Sequence, residues 1–271
     1  MKPDKLAIII LNYNGLPYIL DCFNSLSRIN KPKNLQIEAW LIDNGSVDKS
    51  LCQIKKNFPW VRVFENRKNL GFAKGNNVGL KKALKEKFNY ILLLNPDTIV
   101  RPDFLTPLIK LLRKDWATGI AAPVLKDNKG LALGAKFNPF LGRTKHLRLD
   151  IKTGSLCPLE QEIVSGCAML VRREVLEKIG LLDERFFLYF EDADFCLRAR
   201  QAGFKIYVHP QSVVEHKISL SLKGWQKIKY NLRSNFLFIL KRVKLIYWPL
   251  AFGYLFCLGV KMIVSFKRAE K

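Results

Sequence analysis

Tyr90-Ile-Leu-Leu-Leu-Asn-Pro-Asp97 decides how the rest of the chain is read. Tyr90 to Leu94 is a continuous apolar run of strand length, which predicts a strand buried on both faces, since a half-exposed strand would alternate with polar residues. Pro96 stops the ladder because proline has no N–H to donate. Asp97 then stands just past the strand's carboxyl end, the edge at which open α/β sheets bind ligands. A carboxylate there is a candidate for holding a metal ion or handling phosphate. The same residue could instead serve as a turn aspartate before Pro102-Asp103-Phe104.

Upstream, Leu6 to Leu11 predicts a first buried strand ending at Asn12-Tyr13-Asn14-Gly15, and Pro17 is expected to open a helix whose Leu20, Phe23 and Leu26 share a face. Ile37 to Ile42 predicts a second strand, ending at Asp43-Asn44-Gly45-Ser46. Val61 to Phe64 predicts a third, followed by Asn66 to Asn69 and a helix from Gly71-Phe72-Ala73 towards Lys85. Strands that alternate with helices favour a doubly wound, mainly parallel α/β sheet with helices on both faces. Tyr13, Asp43, Asn69 and Asp97 then converge on one edge.

Downstream the pattern loosens into a helix from Asp103 to Leu112, a short strand Ile120 to Pro123 and a loop-rich basic region from Lys126 to Pro158. That region carries Lys136, Arg143, Lys145, His146 and Arg148, which could receive an anionic acceptor or simply be solvated. A strand is expected over Gly166 to Val171, a helix over Arg173 to Ile179 closed by Gly180, and a short strand over Ser212 to Glu215. Between them lies Phe186-Phe-Leu-Tyr-Phe-Glu-Asp-Ala-Asp-Phe195, an aromatic approach to Glu191, Asp192 and Asp194 at the start of a helix ending near Gly203. Acids in a first turn are mildly stabilising by themselves. Asp192, beside so many apolar groups, is the candidate base, because a partly desolvated carboxylate binds a proton more readily.

The chain has 271 residues, 49% of them apolar, enough for a full α/β core with an appendage. The formal net charge is +23, and from Lys217 to Arg268 there are eleven Lys or Arg and no Asp or Glu. Such asymmetry points to an anionic partner for the C-terminal part, lipid head groups or nucleic acid. No helix-turn-helix, RNA-recognition or zinc pattern accompanies the charge, and carboxylates at the sheet edge would repel a phosphate backbone, so nucleic acid is set aside. Six cysteines without a CxxC pair read as reduced packing residues of a cytosolic protein. Met1-Lys-Pro-Asp-Lys5 runs directly into a strand, so no export signal is expected.

Taken in order, Asn12-Tyr13-Asn14, Asp43-Asn-Gly-Ser46, Asn69-Leu-Gly-Phe-Ala73 with Asn76-Asn77, Asn95-Pro-Asp97, Gly180-Leu-Leu-Asp183-Glu-Arg-Phe-Phe187 and Glu191-Asp-Ala-Asp194 resemble the family 2 glycosyltransferases of GT-A fold, the rhamnosyltransferase-like branch above all. The resemblance covers roughly residues 5 to 216. It implies a donor site for a nucleoside-diphosphate sugar formed by Asn12, Tyr13, Asn14, Asp43, Asn69, Gly71, Asn76 and Asn95. Asp43 would contact the base and the Tyr13 region would line the nucleotide pocket. It implies Mg²⁺ or Mn²⁺ held by Asp97, with His216 joining the metal or diphosphate, although a lone His at a strand end also serves structure. Asn95 stands where the family's DxD motif has its first acid, which leaves Asp97 in need of a further ligand or water. Asp192 would be the base of an inverting transfer to a glycan or lipid-linked acceptor, with Glu191 and Asp194 on the acceptor side. A nucleotide-sugar binder that catalyses nothing is the alternative.

Two parts follow: a catalytic domain over 1–216, with a donor half about 1–100 and an acceptor half about 101–216, and a basic, apolar tail over 217–271. Within the tail, Leu245 to Phe266 carries a single charge, Lys261. As a helix that stretch would measure about 33 Å, close to the hydrocarbon thickness, while its uncharged part to Val260 reaches only about 24 Å. Pro249 and Gly253 are expected to weaken it. An interfacial or re-entrant helix at the cytoplasmic face of a membrane, with Tyr247, Trp248 and Tyr254 at head-group depth, is the first reading. A single span is the second, and a buried or dimer-forming helix the third.

Overall fold

A computed structural model describes residues 2–16, 18–149, 157–217 and 224–269, so the expected helix start at Pro17 lies outside the described residues. The chain runs β1 (Asp4–Asn12), α1 (Tyr18–Leu26), β2 (Leu35–Asp43), α2 (Ser50–Asn57), β3 (Arg62–Glu65), α3 (Phe72–Lys85), β4 (Tyr90–Leu94), β5 (Thr98–Val100) and α4 (Leu105–Lys114). It continues through β6 (Thr118–Asp127), β7 (Gly130–Asn138), β8 (Arg143–Leu149), β9 (Leu159–Glu160), β10 (Ala168–Arg172), α5 (Arg173–Ile179), α6 (Glu191–Gln201) and β11 (Lys205–His216). Two long helices close it, α7 (Gly224–Arg242) and α8 (Trp248–Ala269), with a 3-10 turn at Leu245–Tyr247 between them.

The sheet order is β3-β2-β1-β4-β10-β6-β11-β5, and the first four strands are parallel, as strand–helix alternation demands. β10 enters antiparallel between β4 and β6. All five residues of β4 are buried, and so are those of β10. Alternation sends Tyr90, Leu92 and Leu94, with Ile8 and Ile10, to the face covered by α1, α2 and α4. Ile91 and Leu93, with Ala7 and Ile9, go to the face covered by α3, α5, α6 and α7. On α4, Leu105, Leu108, Ile109 and Leu112 are the buried positions, at the i, i+3, i+4, i+7 spacing of one helix face. α3 reaches the sheet closely because it turns Gly75 and Gly79 to it: a Cβ at Gly75 would stand 2.6 Å from Leu11 Cδ1 and one at Gly79 2.9 Å from Ile9 Cδ1.

Three expectations change. The basic region 126–158 is largely a hairpin ribbon, β6 pairing with β7 and β7 with β8. Its apolar positions do alternate, Leu133 and Ala135 being buried, but charged residues on the open face and Gly134 hide the period. The strand expected at Ser212 to Glu215 is the end of the longer β11, whose register shifts between His209 and Val213, around Pro210. Pro249 does not weaken α8: it is the second residue of that helix, in the first turn, where an N–H would have no intrahelical partner anyway.

α7 is not an appendage. Phe238 is wholly buried within the core that includes Ile9 and Phe195, and its ring meets Phe137 at 5.5 Å and Phe190 at 5.0 Å. α8 folds back on α7, with Trp225 against Phe266 and Phe236 against Phe252. Its other side carries exposed Leu250, Phe256, Val260 and Val264. The helix segment Leu245–Arg268 is long and apolar enough to cross a membrane, by length and composition alone.

Candidate active site

The carboxyl ends of β1 and β2 set the first part of the site. Register places Asn12 opposite Asp43, and the Asn12 amide nitrogen stands 3.0 Å from Asp43 Oδ1, 2.9 Å from Ser50 Oγ and 3.0 Å from Ser46 Oγ. Asp43 Oδ2 accepts the N–H groups of Gly45 and Ser46 at 3.2 and 3.0 Å. Asn44 ties the next loop: its Nδ2 donates to Asn69 Oδ1 at 2.9 Å and to the Gly71 carbonyl at 3.2 Å, and its Oδ1 accepts from Leu70 N–H at 3.1 Å. Buried polar groups are thus spent on loop backbone, which fixes the loops before any ligand arrives. Tyr13 stays 41% exposed at this edge, a ring free to stack on a base. Asn14 adopts the left-handed region, φ 53°, with its Oδ1 accepting from Val47 N–H at 2.8 Å.

The second part is built by β5 and β11. Their antiparallel pairing sets His216 opposite Thr98 and so brings His216 Nε2 to 3.3 Å from Asp97 Oδ2, with Asp97 only 6% exposed. A hard divalent cation prefers carboxylate and water oxygens, and Asp97 offers the former. No group of three or more His, Cys, Asp or Glu is gathered anywhere among the described residues. The pair by itself offers a divalent cation one carboxylate and one imidazole, which suits an ion that takes its other ligands from outside the protein.

The third part is a cavity of about 470 Å³ bounded by Asn95, Cys167, His146, His216, Glu191 and Asp192, among others. Asp192 is half-buried, Oδ2 accepting from Gly166 N–H at 3.0 Å and Oδ1 from Ala193 N–H at 2.7 Å. Burial pushes its carboxyl above the ordinary range, partly offset by those two N–H groups and by His146. Burial, and then the neighbouring Asp192 charge, pushes Glu191 well above the usual carboxylate range, and its Oε2 meets no hydrogen-bond partner among the described residues. The two neighbouring carboxyls both resist ionisation, Glu191 the more strongly. Tyr189 and Phe190, immediately before this helix, both have positive φ, 71° and 68°. Two successive non-glycine residues in that region are strained and need outside support.

These three parts sit at one edge of a Rossmann-like parallel sheet: a polar nucleotide-type pocket, a carboxylate–imidazole pair and a desolvated carboxylate beside a cavity. The profile of Glycosyl transferase family 2 matches residues 7–180, and the chain belongs to that family. It is 27% identical over 210 residues to the Low-salt glycan biosynthesis hexosyltransferase Agl10 of Haloferax volcanii, covering 75% of this chain and 64% of that protein. It is 25% identical over 240 residues to an N-acetylglucosaminyl-diphospho-decaprenol L-rhamnosyltransferase of Mycobacterium tuberculosis, covering 79% and 76%. Among solved structures it resembles GalNAc-T7 with UDP, GalNAc and Mn²⁺, with a TM-score of 0.70 at 20% identity over 88% of this chain and 48% of that one. The mannosyltransferase PcManGT of Pyrobaculum calidifontis in complex with GDP-Man and Mn²⁺ gives a TM-score of 0.64 at 15% identity, over 98% and 74%. The fold is the GT-A-like one.

Not every expected residue faces this site. Asn76 is 2% exposed and donates to the Phe72 carbonyl within its own helix, at 3.0 Å. Gly71, φ 81°, acts through space: a Cβ there would stand 2.5 Å from the Phe187 carbonyl oxygen, so glycine lets the donor-side loop touch the segment leading to Asp192. Asp194 turns away from the cavity. Its fully buried carboxylate meets Arg198 at 2.9 Å, Lys241 at 2.8 Å and Arg242 at 2.6 Å, so it does not stand on the acceptor side as expected. Helical spacing explains it, since residues two apart cannot share a face. Asn44 and Gly166 belong to the arrangement without having been singled out for it, and His146, expected only as one of the basic residues that could receive an anionic acceptor, lines the cavity of Asp192. Asn44 could have been found, because it adjoins Asp43 in a polar strand end, whereas Gly166 and His146 reach Asp192 only through tertiary packing.

Proposed function

We propose that this chain is an inverting glycosyltransferase that moves a hexosyl or deoxyhexosyl group from a nucleoside-diphosphate sugar to a hydroxyl of a glycan or lipid-linked acceptor. The observation that carries the reading is Asp192, held by Gly166 N–H at the wall of a cavity that reaches Asn95 and His216 on the donor side. Asn12, Asp43 and Asn69 hold the loops of the nucleotide pocket and Tyr13 stacks on the base. Asp97 and His216 would hold Mg²⁺ or Mn²⁺, which would supply positive charge against the diphosphate leaving group. Asp192 accepts the proton of the acceptor hydroxyl as its oxygen bonds to the anomeric carbon from the face opposite the leaving phosphate. Glu191 lies beside it, its carboxyl held well above the usual range by burial and by the Asp192 charge. The exposed apolar side of α8 and the excess of Lys and Arg after Lys217 support a seat at the cytoplasmic face of an anionic membrane. The diphospho-decaprenol in the mycobacterial relative's name agrees with a lipid-linked acceptor.

The test is a thermal-shift screen with UDP-GlcNAc, GDP-mannose and dTDP-rhamnose, with and without Mn²⁺, followed by release of nucleoside diphosphate from whichever donor stabilises the protein. Mn²⁺-dependent stabilisation with turnover supports the reading. Stabilisation without turnover makes the chain a sugar-nucleotide binder, and no stabilisation by any donor refutes the donor site.

A further inference from the structure

The 187–194 segment, which presents Asp192, is held almost residue by residue by α7. Tyr230 stacks on Phe187, centroids 4.5 Å apart and rings 14° from parallel. Ser234 Oγ donates to the Leu188 carbonyl at 2.7 Å. Phe238 packs on the Phe190 ring, and Asn231 lines the cavity. At the helix's end Arg242 donates to Asp194 Oδ1 through Nε at 2.9 Å and Nη2 at 2.6 Å, while Lys241 reaches Asp194 at 2.8 Å and Asp183 at 2.6 Å. The Arg242 side chain is 9% exposed and that of Asp194 not at all, so this is a buried charge cluster, costly if either partner is removed.

We propose that Arg242, assisted by Lys241, is a positioning residue for the transfer reaction: by pinning Asp194 it sets the register of α7 on the strained Tyr189–Phe190 pair and so aims Asp192 into the cavity. The inference rests on Asp192 being the base. Burial raises the Asp194 carboxyl, but Lys241, Arg242 and Arg198 more than offset it and hold it below the ordinary range, so the clamp stays ionised across the working pH. The groups that face Asp192 itself are Glu191 and Cys196 on α6, Cys167 just before β10 and His146 on β8. Arg242 bonds Asp194 and not Asp192, whose carboxylate is met by Gly166 and Ala193 N–H, so it acts on Asp192 through position and water access.

The experiment measures kcat, donor KM and the pH profile of Mn²⁺-dependent donor hydrolysis, with the donor found in the screen, for the wild type, Arg242→Met, Arg242→Lys, Ser234→Ala and Asp192→Asn. Lys244→Ala, an exposed cation two residues further on and past the end of α7, is the control. Arg242→Met is expected to lower kcat about 10- to 100-fold, the usual cost of a small misplacement, with donor KM within about twofold of wild type. Water entering a loosened loop lowers the Asp192 pKa, so the acid limb of kcat moves to lower pH. Arg242→Lys should recover part of the loss and Lys244→Ala should cost nothing. If Arg242→Met does not fold, Ser234→Ala, which frees the Leu188 carbonyl, must show the same split and the same shift in smaller measure. Unchanged kcat per folded molecule, or kcat and donor KM changing together without a shift of the acid limb, overturns the proposal. Loss of activity in Asp192→Asn with none in the Arg242 variants refutes the clamp alone; full activity in Asp192→Asn refutes the base and the clamp with it.

Discussion

The ends of β1 and β2, proposed as the donor edge, and the 187–194 segment, proposed to carry the base, are held in opposite ways. At the ends of β1 and β2, Asn12 donates to Asp43 while Asp43 and Asn44 accept loop N–H groups, so short-range bonds between neighbouring strand ends hold the loops, with Asn12 Oδ1 the one buried side-chain atom of the three residues left without a partner among the described residues. The 187–194 segment has two successive residues at positive φ and a buried acid, Glu191, lacking a side-chain partner among the described residues. It is held from outside, by a helix that begins some thirty residues later in the chain. A nucleotide pocket can be built from local hydrogen bonds because the donor's phosphates and base are polar. A base must be partly desolvated to work near neutral pH, and the backbone that carries it into an apolar setting needs a scaffold to oppose the strain.

The contrast breaks most sharply at Asp192. Asp192→Asn keeps the shape but cannot take a proton, so transfer should fall by about two to four orders of magnitude while calorimetric donor affinity hardly moves. Loss of donor affinity in parallel would mean the two regions are one hydrogen-bonded unit.

On the other side of the cavity, Asp97→Ala removes the carboxylate beside His216 and should weaken Mn²⁺-dependent binding of a nucleoside diphosphate at least about 10-fold. Titration with Mn²⁺ replaced by EDTA provides the baseline, and equal loss with and without the ion would make Asp97 a turn residue.

Asn12→Ala should separate rigidity from chemistry. It strips a buried donor from Asp43 and Ser50, so chemical denaturation should show a loss of roughly 1–3 kcal/mol. The pH profile of whatever activity remains should be that of the wild type, since Asp192 is untouched; a moved acid limb would contradict the independence of the two regions.

The mildest change in chemistry is expected from deleting residues 245–271, which removes α8 but keeps Lys241, Arg242 and the whole of α7. Flotation with anionic liposomes should drop, as the apolar side and its basic flanks are lost, the latter worth up to about 1 kcal/mol per cation. Donor hydrolysis in solution should stay within a few-fold. A deletion beginning at residue 241 would also take Lys241 and Arg242 from Asp194, leaving it only Arg198, so the two truncations divide membrane docking from loop support.

Much of the donor half is legible in the chain itself. Strand runs buried on both faces, such as Ile8 to Ile10 and Ile91 to Leu94, are continuous apolar stretches, and turn residues at their carboxyl ends put Asn12, Asp43 and Asp97 at one edge by the logic of a parallel sheet. The β7–β8 ribbon is less legible, because one of its faces is open and a strand with charged residues on that face looks like a loop. Asp194 was misjudged for a related reason: acids crowded into a helix's first turn look alike in sequence, and only neighbours decide which faces the cavity and which an arginine.

By itself the sequence determined the sheet, its ligand edge, the family and the apolar character of the last helix, because each depends on local periodicity or on motifs a few residues long. Only the tertiary structure decided that α7 packs into the core of the sheet domain, that His216 meets Asp97, and that Glu191 and Asp192 line the cavity while Asp194 turns to Arg198, Lys241 and Arg242. Those outcomes depend on which distant groups share a buried, low-dielectric space, and desolvation and long-range ion pairing leave no periodic trace in the order of residues.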